Sequence, residues 1–188
     1  MPHENEHPLD DAFFTLAHDV NSEITVKGSR FKAFCSSASS LDNAEGYLDT
    51  IRKSYRDATH HCYAYILRDD NGLTVRSSDD GEPSGTAGKP ILTALQRHNL
   101  ANVICVVVRY FGGTKLGMGG LVRAYTSAAE SALETGKTSE HYIKSRLRLS
   151  FPYTMTGGVE QILNENGVDV LDRSFGEECV LTCSIRKT

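Results

Sequence analysis

The chain has 188 residues, 39% of them hydrophobic and 23% charged, which are the proportions of a globular protein of one or two domains and exclude the disordered and fibrous classes. Its formal net charge of −4 argues against a wholly basic nucleic-acid binder, although net charge does not describe local patches. Five cysteines without a CxxC pair indicate reduced thiols in the cytoplasm, and the longest wholly apolar run, residues 103–108, is too short to predict a membrane span.

The first part of the chain predicts strands and one amphipathic helix. The expected order is a strand at 29–37, a helix at 41–55, and two strands at 60–68 and 73–78. The first strand alternates, so that Phe31, Ala33 and Cys35 share one face. The helix follows a capping-box spacing of Asp42 and Glu45. The sequence Asp-Asp-Asn-Gly between the last two strands is a strong hairpin signal.

The middle of the chain predicts a central strand between two helices. A short helix contains Pro90 in its first turn and ends at Asn99. Residues 102–111 then contain the unbroken apolar run 103–108, which is typical of a strand covered on both faces at the centre of a sheet. After a glycine-rich segment, a helix with a small-residue face is expected from Leu121 to a stop at Gly136.

A polar segment at residues 138–144 predicts a domain boundary. We expect one α/β domain of residues 1–140 and a second, small domain of residues 141–188. The second domain should contain a three-stranded sheet and one helix, with Val159, Ile162 and Leu163 inside.

Residues 83–129 contain no Asp or Glu but carry five cations, and such segregation makes one face of an acidic chain locally positive. Glycines between the central strand and the next helix stand where open α/β sheets bind ligands and let phosphates approach the backbone. Their spacing matches neither a dinucleotide site nor a Walker site. A solvated surface with a tight glycine turn is the alternative. The candidate anion- or nucleic-acid-binding residues are Arg109, Gly112, Gly113, Lys115, Gly119, Gly120 and Arg123.

An acidic loop with Asp79, Asp80 and Glu82 precedes the helix that contains Pro90. Such carboxylates could form part of a metal site. Two histidines stand on the strand before it, but no fixed ligand spacing is present, so no metal and no cofactor is predicted. Ser84 and Cys62 lack a nucleophile motif. We interpret the loop as a scaffold: Ser84 or Thr86 caps the following helix, and the acids bond to backbone or pair with Arg109 or Lys115. The scaffold residues are His61, Asp79, Asp80, Glu82, Pro83, Ser84, Gly85 and Thr86.

Two segments, SSDDGEPSGTAGKPIL and VVVRYFGGTKLGMGGLVRAY, resemble the signature blocks of the IMPACT/YigZ family, and KGSRFKAF and ATHHCYAY extend the likeness over roughly residues 23–136. The resemblance implies a two-layer, ribosomal-protein-like α/β domain with a left-handed crossover. It also implies a ferredoxin-like βαββαβ module, here incomplete because only strand, helix, strand and strand are recognisable. In function it implies translation control, since the eukaryotic relatives compete for the ribosome-associated activator of a starvation-responsive kinase.

Two hypotheses of function are compatible with these observations, and recognition of a protein alone, as the eukaryotic relatives suggest, is a third. In the first, a cytoplasmic, translation-linked protein binds RNA, the ribosome or a ribosome-associated protein through the basic, glycine-rich face. In the second, the DDGEP loop, His61 and Lys115 form a small hydrolase or phosphate-handling site. No nucleophile, base and orienting group can be assigned together, so catalysis is expected to be absent or incidental. Convergence of His61 and the three loop acids in a pocket would favour chemistry, whereas a continuous basic surface would favour binding.

Overall fold

The computed structural model describes residues 12–69 and 72–186. Its strands are β1 (Ala12–Leu16), β2 (Val20–Val26), β3 (Ser29–Ser37), β4 (His60–Asp69), β5 (Gly72–Ser78), β6 (Val103–Tyr110), β7 (Thr138–Tyr142), β8 (Lys144–Phe151), β9 (Asp169–Phe175) and β10 (Cys179–Arg186). Its helices are α1 (Leu41–Ser54), α2 (Gly88–Arg97), α3 (Gly117–Leu133) and α4 (Thr156–Glu165). The chain forms a large unit, Phe13–His141, and a small unit that contains the described residues from Tyr142 onward. The predicted mixed α/β class is confirmed.

The large unit is organised around a five-stranded sheet of order β2-β3-β6-β4-β5, in which every neighbouring pair is antiparallel. The predicted central strand is β6, and residues 103–108 are buried. Because β3 and β4 both run antiparallel to β6, they are parallel to each other, and α1 connects them. A ribbon of β1 and β7 completes the unit.

Helices cover both faces of this sheet. On one face α2 and α3 pack over alternate residues of β3, β4 and β6, including Phe31, Cys62 and Val107. On the other face α1 packs over the intervening residues, including Tyr65 and Val106. The unit therefore has a third layer beyond the two that the resemblance implies, because both faces of β6 are apolar and both must be shielded from water.

Local details differ from the predicted elements at several points. The residue pattern does not predict β1, β2 or β7. Helix α1 is capped by Ser40, whose hydroxyl accepts from the N–H of Asn43 at 3.2 Å, rather than by Asp42. Strands β4 and β5 pair as a hairpin, whereas its predicted turn residues Asp70 and Asn71 lie outside the described part.

The small unit is a three-stranded sheet of order β8-β10-β9 with α4 on one face. Strands β8 and β9 both run antiparallel to β10, so β8, α4 and β9 form a split βαβ unit with β10 between its strands. This arrangement agrees with the first four elements of a βαββαβ module. Leu163 is buried as expected, but Ile162 is 61% exposed because α4 turns only one narrow stripe toward the sheet. Among the described helices, none combines the length and the apolar character needed to cross a bilayer.

Candidate functional site

Asp79 organises the acidic loop by capping α2 from outside the helix. One carboxylate oxygen accepts from the N–H groups of Ala87 and Gly88, at 2.9 and 2.8 Å, and the other accepts from the N–H of Gly85 at 2.8 Å. Burial favours the protonated form, but the three N–H donors outweigh it and hold the pKa of Asp79 below its ordinary value of 3.8. A charged Asp79 therefore satisfies the first N–H groups of α2 and closes the loop.

The predicted caps Ser84 and Thr86 do not serve α2. Ala87 is the N-cap residue and makes no side-chain cap hydrogen bond, and the Thr86 hydroxyl instead donates to the Pro83 carbonyl at 2.6 Å. The prediction was wrong because the cap comes from a residue that is near in space but several positions earlier in the chain.

We expect Asp79→Ala to lower the free energy of unfolding at neutral pH by about 1–2 kcal/mol, the usual cost of a lost helix cap. Because the pKa of Asp79 is lower in the folded chain than in the unfolded chain, its stabilisation is complete above the unfolded value and is lost as the pH falls through the folded value. Urea unfolding of both proteins between pH 7 and pH 2.5 should show a difference that is constant above pH 5 and shrinks below pH 4. Ser84→Ala, at an exposed position of the same loop, is the control. A difference that grows in acid would contradict this role.

Asp80 ties the loop to the start of β4. Its backbone is in the left-handed region, with a φ of 44°, and its carboxylate accepts from the N–H of His61 at 2.7 Å. Its carbonyl accepts from Nδ1 of His60 at 2.7 Å, while Nε2 of His61 donates to the carbonyl of Tyr55 at 2.9 Å. Both imidazoles thus donate to backbone oxygens and act as structural hydrogen-bond donors.

Glu82 points into the interior and pairs with a buried arginine. Its Oε1 accepts from Nη1 of Arg109 at 2.5 Å and from the hydroxyl of Tyr125 at 2.8 Å. The thiol of Cys62 lies 3.3 Å from that hydroxyl and 3.0 Å from the carbonyl of Asp79. Burial raises the pKa of Tyr125 and of Cys62, so both stay neutral in this network. The network joins the acidic loop to β4, β6 and α3.

Arg109 connects the acidic loop to the glycine-rich segment after β6. Its guanidinium lies over the rings of Phe31 and Phe111, 5.4 and 5.6 Å from their centres, and Nη2 lies 3.4 Å from Oγ of Ser29. The same Ser29 oxygen accepts from the N–H of Gly112 at 3.1 Å. Arg109 is only 5% exposed. It is therefore a structural residue, and the expectation that it contacts a surface ligand must be corrected, because its charge is already paired inside the protein.

The loop acids and His61 do not converge on one cavity. Asp79 faces the first turn of α2, Asp80 faces the start of β4, and Glu82 faces the core. Within residues 12–69 and 72–186, no group of three or more His, Cys, Asp and Glu side chains is arranged to hold a metal ion. Each acid accepts hydrogen bonds from the protein, so the arrangement serves to hold the loop and to position the glycine-rich segment after β6.

The cations of residues 83–129 fall into three environments. Arg109 is buried, and Arg97 pairs with Glu130 at 2.9 Å. Lys115 and Arg123 are exposed, before and within the N-terminal part of α3. Lys89, in the first turn of α2, is exposed as well, so three of the five cations (Lys89, Lys115 and Arg123) can contribute to a positive surface.

The predicted glycines lie on both sides of the start of α3. Gly112 and Gly113 precede the helix, whereas Gly119 and Gly120 belong to its first turn, because α3 begins at Gly117 rather than at Leu121. A Cβ added at Gly119 would lie 3.6 Å from the Arg123 guanidinium, and one at Gly120 would lie 3.1 Å from Cβ of Leu116. Because Gly119 and Gly120 have no side chains, the backbone of the first turn of α3 is left uncovered beside Arg123.

A shallow groove of about 170 Å³ runs beside this helix start. Lys27, which the residue pattern does not single out, brings a second exposed cation to the groove from the β2–β3 turn. The sequence signal that indicates this turn is the pair Lys27-Gly28, because glycine favours turns. In the structure both residues have positive φ. The groove is lined by Val26, Lys27, Leu116, Gly120, Arg123, Ala124 and Ser127.

This chain is similar in sequence and in structure to known proteins. The profile of the Impact N-terminal domain matches residues 27–133, more than half of the chain. The IMPACT family member YvyE of Bacillus subtilis is 37% identical over 155 residues, 82% of this chain and 71% of that protein. The IMPACT family member YigZ of Escherichia coli K12 is 36% identical over 151 residues, 80% of this chain and 74% of that protein. A crystal structure described as that of a hypothetical protein, 30% identical, superposes with a TM-score of 0.80 over 94% of this chain and 86% of that one. The chain belongs to the IMPACT family.

Proposed function

We propose that this protein is a cytoplasmic, translation-linked regulator that binds RNA or the ribosome through the basic, glycine-rich surface formed by Lys27, Lys115, Arg123 and the first turn of α3. The observation that carries the proposal is the groove beside α3, where two exposed cations flank a helix start without side chains at Gly119 and Gly120. Translation control is what the family resemblance implies, through its eukaryotic members.

The local charge supports an anionic ligand at this surface. No Asp or Glu occurs between residues 83 and 129, so the cations near α3 are not neutralised by neighbours in sequence. The N-cap position of α3, Leu116, makes no side-chain cap hydrogen bond, and the helix start favours negative charge. Cations, exposed N–H groups and absent side chains together suit the phosphates of a nucleic-acid backbone.

The salt dependence of binding tests this proposal. With a labelled 20-nucleotide uridine RNA as probe, about three phosphate contacts predict a slope near −2 for log affinity against log salt. Lys115→Ala and Arg123→Ala should each flatten that slope by about 0.7 and weaken binding alike across RNA sequences, because phosphate contacts carry no base information. Lys53→Ala, an exposed cation on α1 at the opposite face of the sheet, is the matched control and should change nothing.

Two results would overturn the proposal that this surface binds RNA and would leave recognition of a ribosome-associated protein as the better account of the surface. One is an affinity for RNA that ignores salt, and the other is an affinity that survives the Lys115→Ala/Arg123→Ala double substitution. Among the described residues, no specific observation favours the hydrolase hypothesis, because each loop acid already accepts hydrogen bonds from the protein.

A further inference from the structure

The sheet of the small unit has one face against α4 and one face that α4 does not cover. The covered face carries the buried residues Phe151, Leu181 and Cys183. Since side chains alternate along a strand, the residues between these point to the other face. Residues that pair across the three strands form rows on this open face. One row consists of Arg148 on β8, Thr182 on β10 and Asp172 on β9.

Strand β8 places a row of cations on the open face. Lys144, Arg146 and Arg148 occupy alternate positions, all are exposed, and Ser150 comes next in the same row. Strand β10 adds Arg186, whose guanidinium lies 3.8 Å from the centre of the Tyr142 ring. Four cations therefore lie along β8 and β10 on one face of a three-stranded sheet, in a chain whose net charge is −4.

Two of these cations have no acidic partner within the described residues. Lys144 pairs with Asp169 at 2.6 Å. On the covered side of the sheet Arg173 pairs with Glu160. Arg146 and Arg148, in contrast, form no ion pair anywhere in residues 12–69 and 72–186. Two adjacent guanidinium groups are therefore available to an anionic partner.

Within the described part of the chain, acids of the open face contact β8 only near its two ends, where Asp169 pairs with Lys144 and Glu178 accepts a hydrogen bond from Ser150. Asp169 and Asp172 lie on β9, and β10 separates them from Arg146 and Arg148. Two strand spacings correspond to roughly 10 Å. The unpaired positive charge is therefore concentrated at Arg146 and Arg148, and the row of β8 residues that contains them forms a straight track.

We propose that this track, the open face along β8, binds the sugar-phosphate backbone of single-stranded RNA. Residues two apart on a strand are about 6.6–6.8 Å apart, so Arg146 and Arg148 present two planar, bidentate donors in line. The hydroxyls of Thr182 and Ser184 stand in the neighbouring row as further donors. The inference rests on the proposed function only for the class of ligand, because it concerns a different unit of the chain.

The composition of the face favours a nucleic acid over a protein partner. Protein interfaces are built around apolar and aromatic residues with few charges at their centre. Between β8 and β10 the open face instead consists of cations and hydroxyls, with Val180 at its end. Cations on an edge strand can also serve to prevent another strand from pairing with that edge. Cations with that role alone would not need hydroxyl donors beside them.

The test compares the full chain with its Arg146→Ala/Arg148→Ala variant, using the labelled 20-nucleotide uridine RNA between 50 and 300 mM KCl. The two arginines add about −1.4 to the slope near −2 that the three contacts beside α3 contribute, so their loss should reduce the slope of log affinity against log salt by about 1.4. If the two proteins bind this RNA equally at 1 M salt, the variant then binds it roughly 25-fold more weakly at 100 mM. Arg173→Ala, an arginine of the same unit paired on the other face, is the matched control and should keep the full slope. The Arg146→Lys/Arg148→Lys variant keeps both charges and should retain most of the slope even if the alanine variant folds poorly.

Each outcome separates this inference from the proposed function. Unchanged binding by the Arg146/Arg148 alanine variant, together with weak binding by Lys115→Ala/Arg123→Ala, would overturn the track on β8 and leave the proposed function standing. The reverse pattern would support the track and overturn the surface beside α3. Binding to polyglutamate with the same salt slope as RNA would overturn the choice of RNA, and absence of any RNA binding by the unaltered chain would overturn both.

Discussion

Glu82→Ala is expected to lower the free energy of unfolding by about 3–5 kcal/mol, the cost of leaving one member of a buried ion pair alone. Arg109 is 5% exposed, and its Nη1 would lose the acceptor that now lies at 2.5 Å. The hydroxyl of Tyr125 would lose the same acceptor. The guanidinium cannot escape this penalty by losing its proton, because arginine stays charged in proteins.

Guanidinium chloride unfolding followed by circular dichroism measures this loss, and a double-mutant cycle assigns it. The cycle consists of Glu82→Leu, Arg109→Met and the double variant, which removes both charges and should be less destabilising than Glu82→Leu alone because no uncompensated charge then remains. A single variant that loses less than about 1 kcal/mol would show that water reaches Arg109 and that the pair does not hold the loop.

Gly112→Ala is expected to cause the next largest loss of stability. A Cβ at this position would lie 1.9 Å from the carbonyl carbon of Gly28 and 2.3 Å from the N of Ser29. Both are backbone atoms, so the β2–β3 turn would have to move, and Ser29 would move with it. We expect a loss of about 3 kcal/mol, at the upper end of the range for overpacking.

The same measurement on Gly46→Ala provides the control for Gly112. Gly46 lies within α1, and a Cβ there would meet no atom within 4 Å. Alanine should therefore raise the free energy of unfolding by about 0.5–1 kcal/mol, because it costs less backbone entropy in a helix. If Gly112→Ala were as harmless as Gly46→Ala, the turn and the glycine-rich segment would not be in close contact.

Features that depend on neighbours along the chain were predictable from the residue pattern alone. The apolar run of β6 placed the centre of the sheet, period-two patterns on either side of Asn71-Gly72 predicted the hairpin strands, and the apolar stripe with Pro90 predicted α2. The motifs around the acidic loop and the glycine-rich segment also indicated the family. In each case the signal is local, because side-chain periodicity and turn chemistry involve residues a few positions apart.

Which of the singled-out residues are buried, paired or free depends instead on the folded arrangement. Arg109 and Lys115 are both cations close to glycines, yet the register of β6 turns Arg109 toward Glu82 and leaves Lys115 in solvent. Lys27 reaches the groove beside Arg123 because the β2–β3 turn lies next to α3, a proximity between residues far apart in the chain. Residue types and spacing identify the charges, but the sheet order and the packing of helices on its two faces decide which charges meet, because desolvation and pairing are properties of the folded chain.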